Sequence, residues 1–152
     1  MCAGRGAGCV RWRIYGTPRA QGSKRALPRK DGRGVLLVDS SPESRRWRDA
    51  VRQVVAEQRG NAPPMAGPIA LRLVFVLQRP KSHYRTGRYA GQLKPNAPRL
   101  HASKPDIDKL ARCVLDALTG VVWRDDAVVA VLQAKKCYGE LPGVLISASK
   151  AR

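Results

Sequence analysis

Acidic side chains are concentrated in one short stretch of a strongly basic chain. The 152 residues include 29 Lys and Arg but only 11 Asp and Glu, which gives a formal net charge of +18. Five of the acids lie within 21 residues: Asp106, Asp108, Asp116, Asp125 and Asp126. Carboxylates repel a phosphate backbone unless a divalent cation lies between them, and Mg2+ is held by one or two carboxylates together with phosphate oxygens and water. The cluster therefore predicts metal-assisted hydrolysis of a phosphodiester, in which the cation activates water and stabilises the leaving oxygen.

The spacing of the first acids predicts that they share one side of the chain. Pro105 biases the residue before it toward extended backbone, and positions two apart in an extended chain point the same way, as Asp106 and Asp108 would. Arg112 follows Asp108 by one helical turn, and Asp116 follows by one turn more. A helix that starts near Asp108 would therefore carry these charged residues on one face.

Asp125 and Asp126 arrive just before an apolar segment that has the pattern of a strand. We expect the start of that strand to lie beside the extended segment 104–108. One of the two carboxylates would then face Asp106 and Asp108 and complete a metal site. This placement follows from an assumed compact packing and not from the spacing itself.

Each of these acids also has a purely structural interpretation. Asp108 can cap the helix that follows it. The pair of aspartates at 125 and 126 can form a turn. Asp116 can pair with Arg112 on a helix surface, since the two are four residues apart.

The apolar pattern predicts a mixture of strands and helices. Strands are predicted at 10–15, 35–38, 69–77, 127–138 and 144–148. The turn from Glu140 to Gly143 predicts that the last two strands pair antiparallel. One helix is predicted from Ser41 as cap and Pro42 in the first turn, with buried Trp47, Val51, Val54 and Val55. A second helix is predicted over Lys109–Leu118, ended by Gly120.

These elements indicate a single α+β domain over residues 1–152. Its small mixed or antiparallel sheet should pack against two main helices. Residues 1–9 are expected to form a disordered tail, and the Gly-, Pro- and Lys/Arg-rich segment 16–34 a mobile basic loop. Residues 79–104 are expected to form a second, longer mobile loop, because they hold many cations and little apolar content.

The net charge predicts a partner with a phosphate backbone. The cations expected to contact nucleic acid are Arg45, Arg48, Arg52, Lys81, Arg85, Arg88, Lys104, Lys109 and Lys136. We expect no membrane partner and a cytoplasmic location, because no apolar run reaches the roughly 18 residues of a membrane span and no signal peptide is evident. The four cysteines lack zinc-site spacing, and disulfides are not expected in a reducing compartment.

Three segments together resemble the signature of a known family. They are Lys104-Pro-Asp-Ile-Asp-Lys-Leu-Ala-Arg112, Leu115-Asp-Ala-Leu-Thr-Gly120 and Trp123-Arg-Asp-Asp-Ala127. Their order and spacing closely resemble those of the RusA-type Holliday junction resolvases. The central match covers roughly residues 104–138, and the flanking elements follow the same order.

The resemblance implies a small Mg2+-dependent endodeoxyribonuclease, of a kind common on phages and prophages, that acts as a homodimer on four-way DNA junctions. It implies that Asp106, Asp108 and Asp126 bind the metal, that Mn2+ can substitute, and that no organic cofactor is needed. Arg112 stands where the family usually has a catalytically important lysine, and Lys109 where asparagine is usual. Arg112 keeps the positive charge and can stabilise the developing phosphate charge, but it is a poor proton donor or acceptor.

Two other functions remain open from the sequence. A nuclease of the PD-(D/E)XK kind would use Pro105-Asp106, but the later strand offers Gln133-Ala-Lys135, without an acid two residues before the lysine. A non-catalytic DNA- or RNA-binding protein would explain the charge and the long basic loop. That second alternative leaves the cluster of carboxylates without a role.

Overall fold

The structure, a computed structural model, describes residues 8–22, 24–39 and 41–151. Its strands and helices, in chain order, are β1 (Val10–Tyr15), β2 (Lys24–Pro28), β3 (Val35–Asp39), α1 (Pro42–Arg59), β4 (Ile69–Gln78), α2 (Ile107–Leu118), β5 (Val129–Gly139) and β6 (Gly143–Lys150). Short 3-10 helices lie at Lys81–His83, Gly87–Tyr89 and Asp126–Val128. This arrangement confirms the predicted α+β class.

The main sheet has four strands in the order β1-β6-β4-β5. β4 pairs parallel with β5 and antiparallel with β6, and β6 pairs antiparallel with β1, so the sheet is mixed. Burial alternates along β4, where Leu71, Leu73 and Phe75 are buried. These side chains face α1 and α2, and the single core lies between the sheet and the two helices.

The predicted pairing of the last two strands is wrong. β6 does not pair with β5; β4 lies between them. The long apolar run of β4 fits a central position, because both of its edges are then paired with neighbouring strands and one of its faces is buried against the helices. The connection 140–142 therefore passes over the end of β4. At Gly143, where β6 begins, a Cβ would collide with the carbonyl oxygen of Ile14 in β1, so glycine permits the close approach of these two strands.

Both helices follow from their sequence signals. In α1, the Ser41 side chain accepts a hydrogen bond from the Ser44 N–H, and Trp47, Val51 and Val55 are buried as predicted. α2 starts at Ile107, two residues before the predicted start. No helix within the described ranges is long and apolar enough to cross a membrane.

The two basic segments contain more structure than the sequence indicates. The predicted loop 16–34 includes β2, which pairs antiparallel with β3 in a separate two-stranded sheet. β2 was missed because its Lys, Arg and Pro content does not favour a strand without the apolar β3 beside it. The segment 79–104 contains two of the 3-10 helices and a bridge between Tyr84 and Leu93. Its mobility stays a prediction, and the predicted tail at 1–9 lies mostly outside the described residues.

Candidate active site

Asp106 and Asp108 lie at the N-terminus of α2. Asp106 is the N-cap residue, with extended backbone (φ −68°, ψ 137°) and no capping hydrogen bond from its side chain, and Asp108 lies in the first turn. The predictions that the pair sits in extended chain and that Asp108 is the cap are therefore wrong, because the helix begins between them. Both carboxylates still lie where the positive end of the helix dipole favours negative charge.

The Asp106 carboxylate is paired with a lysine of its own helix. Its Oδ2 lies 3.0 Å from the Nζ of Lys109, and both side chains are about half exposed. The hydrogen bond and charge of Lys109 lower the pKa of Asp106 below its ordinary value, and the same contact raises the pKa of Lys109. Lys109 thus holds a carboxylate that the family resemblance assigns to the metal.

A lysine of β5 fixes the segment that leads to these carboxylates. The Nζ of Lys136 donates hydrogen bonds of 2.7 Å to the carbonyl oxygens of Ser103 and Pro105. The backbone N–H of His101 donates to the Lys136 carbonyl oxygen at 3.2 Å. Burial, and then the charge of Lys136, lower the pKa of His101. The Lys136 ammonium is therefore a structural tie that holds the chain just before Asp106 against β5.

Asp125 and Asp126 have different environments although they are neighbours. The Oδ1 of Asp125 accepts a hydrogen bond of 2.9 Å from the Ala127 N–H, which confirms the turn interpretation for this residue. Asp126 begins the short helix that follows, and its side chain is exposed. The turn therefore uses one carboxylate of the pair and presents the other to solvent.

Asp126 opens onto a cleft of ≈ 620 Å³ between α1 and the end of α2. Its lining is almost entirely charged: Arg48, Asp49, Arg52, Asp116, Thr119, Arg124, Asp125 and Asp126. The Nη2 of Arg52 donates to the carbonyl oxygens of Asp116 and Thr119, at 3.2 and 3.1 Å. Arg52 thus satisfies carbonyl groups at the C-terminus of α2 and joins the two helices.

The structure does not gather the three predicted metal ligands in one chain. Asp106 and Asp108 do not line the cleft that contains Asp126. Within the described residues, no group of three or more His, Cys, Asp or Glu side chains could hold a metal ion together. The prediction of one shared pocket is therefore not met by a single chain.

The cause is the direction of the chain after α2. A short connection joins the end of α2 to the start of β5, so the start of α2 lies beside the far end of β5. Lys136, which contacts Pro105, is seven residues into β5 from Val129, a distance of about 23 Å in extended chain. The expectation that the start of this strand lies beside segment 104–108 is wrong for this reason.

The donor set at the start of α2 fits magnesium in its chemistry. Asp106 and Asp108 supply hard carboxylate oxygens, and Mg2+ typically uses one or two carboxylates and completes its octahedron with phosphate oxygens and water. These two side chains could therefore hold Mg2+ against a phosphodiester. A third carboxylate is not present beside them in the described chain.

The remaining predicted cations are distributed over the surface. Arg45 is exposed on α1, and Lys81, Arg85, Arg88 and Lys104 are exposed in the long loop. The guanidinium carbons of Arg85 and Arg88 lie 4.3 and 4.6 Å from the centre of the Tyr89 ring, so one aromatic ring orients both. These contacts leave a cationic surface exposed to solvent.

Of two cations near the acids, Arg112 lacks a predicted ion pair in the described part of the chain, and Arg124 was not predicted. Arg112 is exposed one turn beyond Asp108, and the described residues show no ion pair between it and Asp116, whose side chain lines the cleft. Arg124 was missed although it lines the cleft with Asp126. Its position directly before the two aspartates was the available signal, but a lone arginine in a turn is usually only solvated.

Comparison with known proteins identifies the family of the chain. The family model described as "Endodeoxyribonuclease RusA" matches residues 16–148. The chain therefore belongs to the RusA endodeoxyribonuclease family. It is also 28% identical over 141 residues to "Uncharacterized protein YqaN" of Bacillus subtilis (strain 168), a match that covers 90% of this chain and 92% of that protein.

Proposed function

We propose that this protein is a Mg2+-dependent, structure-selective endodeoxyribonuclease that cuts Holliday junctions and related branched DNA in recombination and repair. The observation that carries the proposal is the family match over residues 16–148, which contains the two exposed carboxylates at the start of α2. A nuclease site must be open to a DNA backbone, and both Asp106 and Asp108 meet solvent there.

Asp106 and Asp108 would hold the metal in this proposal. A bound Mg2+ or Mn2+ would supply activation of the attacking water and stabilisation of the leaving oxygen. With the metal bound, Lys109 would either release Asp106 or share its carboxylate with the metal. One carboxylate oxygen cannot bind the ammonium and the metal ion fully at the same time. Arg112 lies on the exposed side of α2 one turn from Asp108, where its fixed positive charge can bind the phosphate oxygens.

Asp126 reaches this site from a second copy of the chain. Support for this step comes from the separation of Asp126 from Asp106 and Asp108 within one chain, and from the exposure of all three carboxylates. A homodimer built in this way has two sites, each with Asp106 and Asp108 from one copy and Asp126 from the other. Two sites suit the paired cuts that resolve a four-way junction.

Mixing two inactive variants tests the shared site. Asp108→Asn and Asp126→Asn chains, co-expressed with different tags and purified as mixed dimers, would have one site with both changes and one intact site. We expect such dimers to nick one strand of a labelled junction, although each variant alone is inactive. Mixed dimers without activity would show that each site is built from one chain.

Phosphate binding is assigned to cations of the cleft, of α1 and of the long loop. Arg48 and Arg124 in the cleft, Arg45 on α1 and the cations of the long loop can contact the DNA backbone. Recognition is then mainly of shape and backbone, so affinity falls steeply as salt rises. Arg52 and Lys136 contribute less, because their side chains already donate to backbone carbonyl groups.

The PD-(D/E)XK alternative is not supported by the arrangement of β5. Its lysine would be Lys135, which alternates with Lys136 along the strand and so projects from the opposite face of the sheet. Asp106 lies on the side of Lys136. Lys135 is thus directed away from the only acid that this alternative can use.

A non-catalytic nucleic-acid-binding protein is favoured by one specific observation, the absence of a three-carboxylate group within the described chain. Cleavage separates the two functions. We expect the wild-type protein with Mg2+ to cut a labelled four-way junction faster than a linear duplex of the same sequence, and to cut neither when EDTA removes the metal. Binding of the junction without nicking, at every Mg2+ and Mn2+ concentration, would identify a binding protein.

A further inference from the structure

One face of the main sheet is not covered by either helix. Along β1, β4 and β6, the buried side chains are those that face the helices, such as Trp12, Leu73 and Ile146. On the opposite face of the sheet several large side chains are exposed to solvent, including Tyr15 (61% exposed) and Val131 (43% exposed). We call this uncovered side of the sheet the open face.

The open face carries four cations: Arg11, Arg13, Arg72 and Lys135. The strand register aligns them in two adjacent rows. One row runs Arg11, Ser147, Arg72 and Gln133, and the next runs Arg13, Leu145, Val74 and Lys135. The cations therefore reach from one edge of the sheet to the other.

The charge of the open face is not neutralised locally. All four cations are exposed, and in the part of the chain that the structure describes none of them forms an ion pair with a carboxylate. The outward positions of the four described strands contain no Asp or Glu. The guanidinium carbon of Arg13 lies 5.0 Å from the centre of the Tyr15 ring, which holds its charge over the surface.

We propose that the open face binds the phosphate backbone of a second DNA segment, an arm of the branched substrate other than the one being cut. The inference rests on the proposed function in taking branched DNA as the partner. The open face and Asp108 lie on opposite sides of the sheet, so one straight duplex does not follow both surfaces. A branched substrate has arms that can reach each of them.

The spacing of the cations fits a duplex backbone. Arg11 and Arg72 are two strands apart in the same row, a separation of about 10 Å at the usual strand spacing. The major groove of B-DNA is about 12 Å wide. Phosphates on the two sides of a groove can therefore meet cations on the two halves of the sheet.

A second copy of the chain is the other possible occupant, and the charge argues against it. Two open faces stacked on each other would place like charges together, with no carboxylates to compensate them. Such juxtaposition of like charges opposes association. A polyanion is instead attracted by the same four charges, and its binding is favoured further by the release of its counterions.

A charge-matched pair of variants tests the proposal. One variant carries Arg11→Gln, Arg13→Gln, Arg72→Gln and Lys135→Gln. The control removes four exposed cations elsewhere, through Lys30→Gln, Arg33→Gln, Arg46→Gln and Lys150→Gln. Affinity for a fluorescent four-way junction is measured over a NaCl series in EDTA, with thermal unfolding and sedimentation as checks of fold and association state.

We expect the slope of log affinity against log salt to become shallower by about 3 to 4 in the open-face variant, since each lost phosphate contact changes it by about 0.9. The control should change the slope by less than half as much. Equal changes in the two variants would overturn the proposal, because net charge alone would then explain them. A change of association state confined to the open-face variant would also overturn it and identify the face as an interface between copies.

The same experiment separates this inference from the proposed nuclease activity. Binding in EDTA does not depend on cleavage. A wild-type protein that binds through the open face but never cuts DNA would support the inference and refute the nuclease. A protein that cuts junctions with an unchanged salt slope in the open-face variant would support the nuclease and refute the inference.

Discussion

The Nζ of Lys136 donates a hydrogen bond of 2.7 Å to the carbonyl oxygen of Pro105, the residue directly before Asp106. A second bond of the same length reaches Ser103. The two bonds connect β5 to the start of α2, so the position of Asp106, a proposed metal ligand, depends on a strand residue thirty positions later in the chain.

Lys136→Met should therefore weaken both the fold and the site. We expect the free energy of unfolding to fall by about 1.5–3 kcal/mol, because two carbonyl groups lose a charged donor. Cleavage should fall further than junction binding, since Asp106 is no longer held in place. Denaturant unfolding and single-turnover cleavage measure the two effects. Lys135→Met is the matched control, and an equal loss of stability in that variant would contradict the role given to Lys136.

Lys109→Asn should release Asp106. Lys109 lowers the pKa of Asp106, so the stabilisation by this pair is present above the ordinary value near 3.8 and is lost as pH falls through the lowered pKa. In the variant we expect the pKa of Asp106 to rise toward that ordinary value, and Mg2+ to bind several-fold more tightly because the carboxylate has no competing cation. Carbon-13 NMR of the carboxyl groups measures both.

Lys104→Asn is the control for Lys109. Lys104 affects Asp106 only through its charge, and less than Lys109 does. Its replacement should move the Asp106 pKa by a smaller amount. An unchanged Asp106 pKa in Lys109→Asn would mean that the ion pair does not persist in solution.

Arg52 and Arg45 lie on the same helix but should respond differently to replacement. Arg52→Met should lower the free energy of unfolding by about 1 kcal/mol, because carbonyl groups at the end of α2 lose their donor. Arg45→Met should leave stability unchanged and weaken binding of DNA. Thermal unfolding and junction affinity distinguish them. Comparable stability losses in both variants would argue against the bridge between the helices.

Replacement of Asp125 should affect stability, whereas replacement of Asp126 should affect catalysis. Asp125→Ala removes the side chain that accepts from the Ala127 N–H, and we expect a loss of about 1 kcal/mol of stability. Asp126→Asn should unfold like the wild type and lose cleavage. The two changes are measured by denaturant unfolding and by junction cleavage. Loss of cleavage in Asp125→Ala at full stability, with activity kept in Asp126→Asn, would reverse the assignment.

The sequence predicted what depends on local pattern. Ser41, Pro42 and the buried stripe from Trp47 predicted α1, and the apolar run from Ile69 predicted the central strand. The motif around Asp106 predicted the family. These features follow from residues a few positions apart, where propensity, capping and periodicity determine the structure.

What the sequence did not predict depends on how distant segments pack. The position of β6 beyond β4, and the contact of Lys136 with Pro105, are set by chain direction and not by local preference. The ion pair of Lys109 with Asp106 required knowing that the helix starts at Ile107. The three aspartates do not meet in a single chain for the same reason, since Asp126 lies before the start of β5 and the start of α2 lies near Lys136, further along that strand.

The most direct test of the proposed chemistry is cleavage by Asp108→Asn. Wild type, Asp108→Asn and the control Asp116→Asn, which changes the same helix two turns later, are compared on a labelled four-way junction with Mg2+. We expect Asp108→Asn to bind the junction with near wild-type affinity and to leave every strand intact, while Asp116→Asn still cuts. Cleavage by Asp108→Asn at the wild-type rate would contradict a metal site at the start of α2.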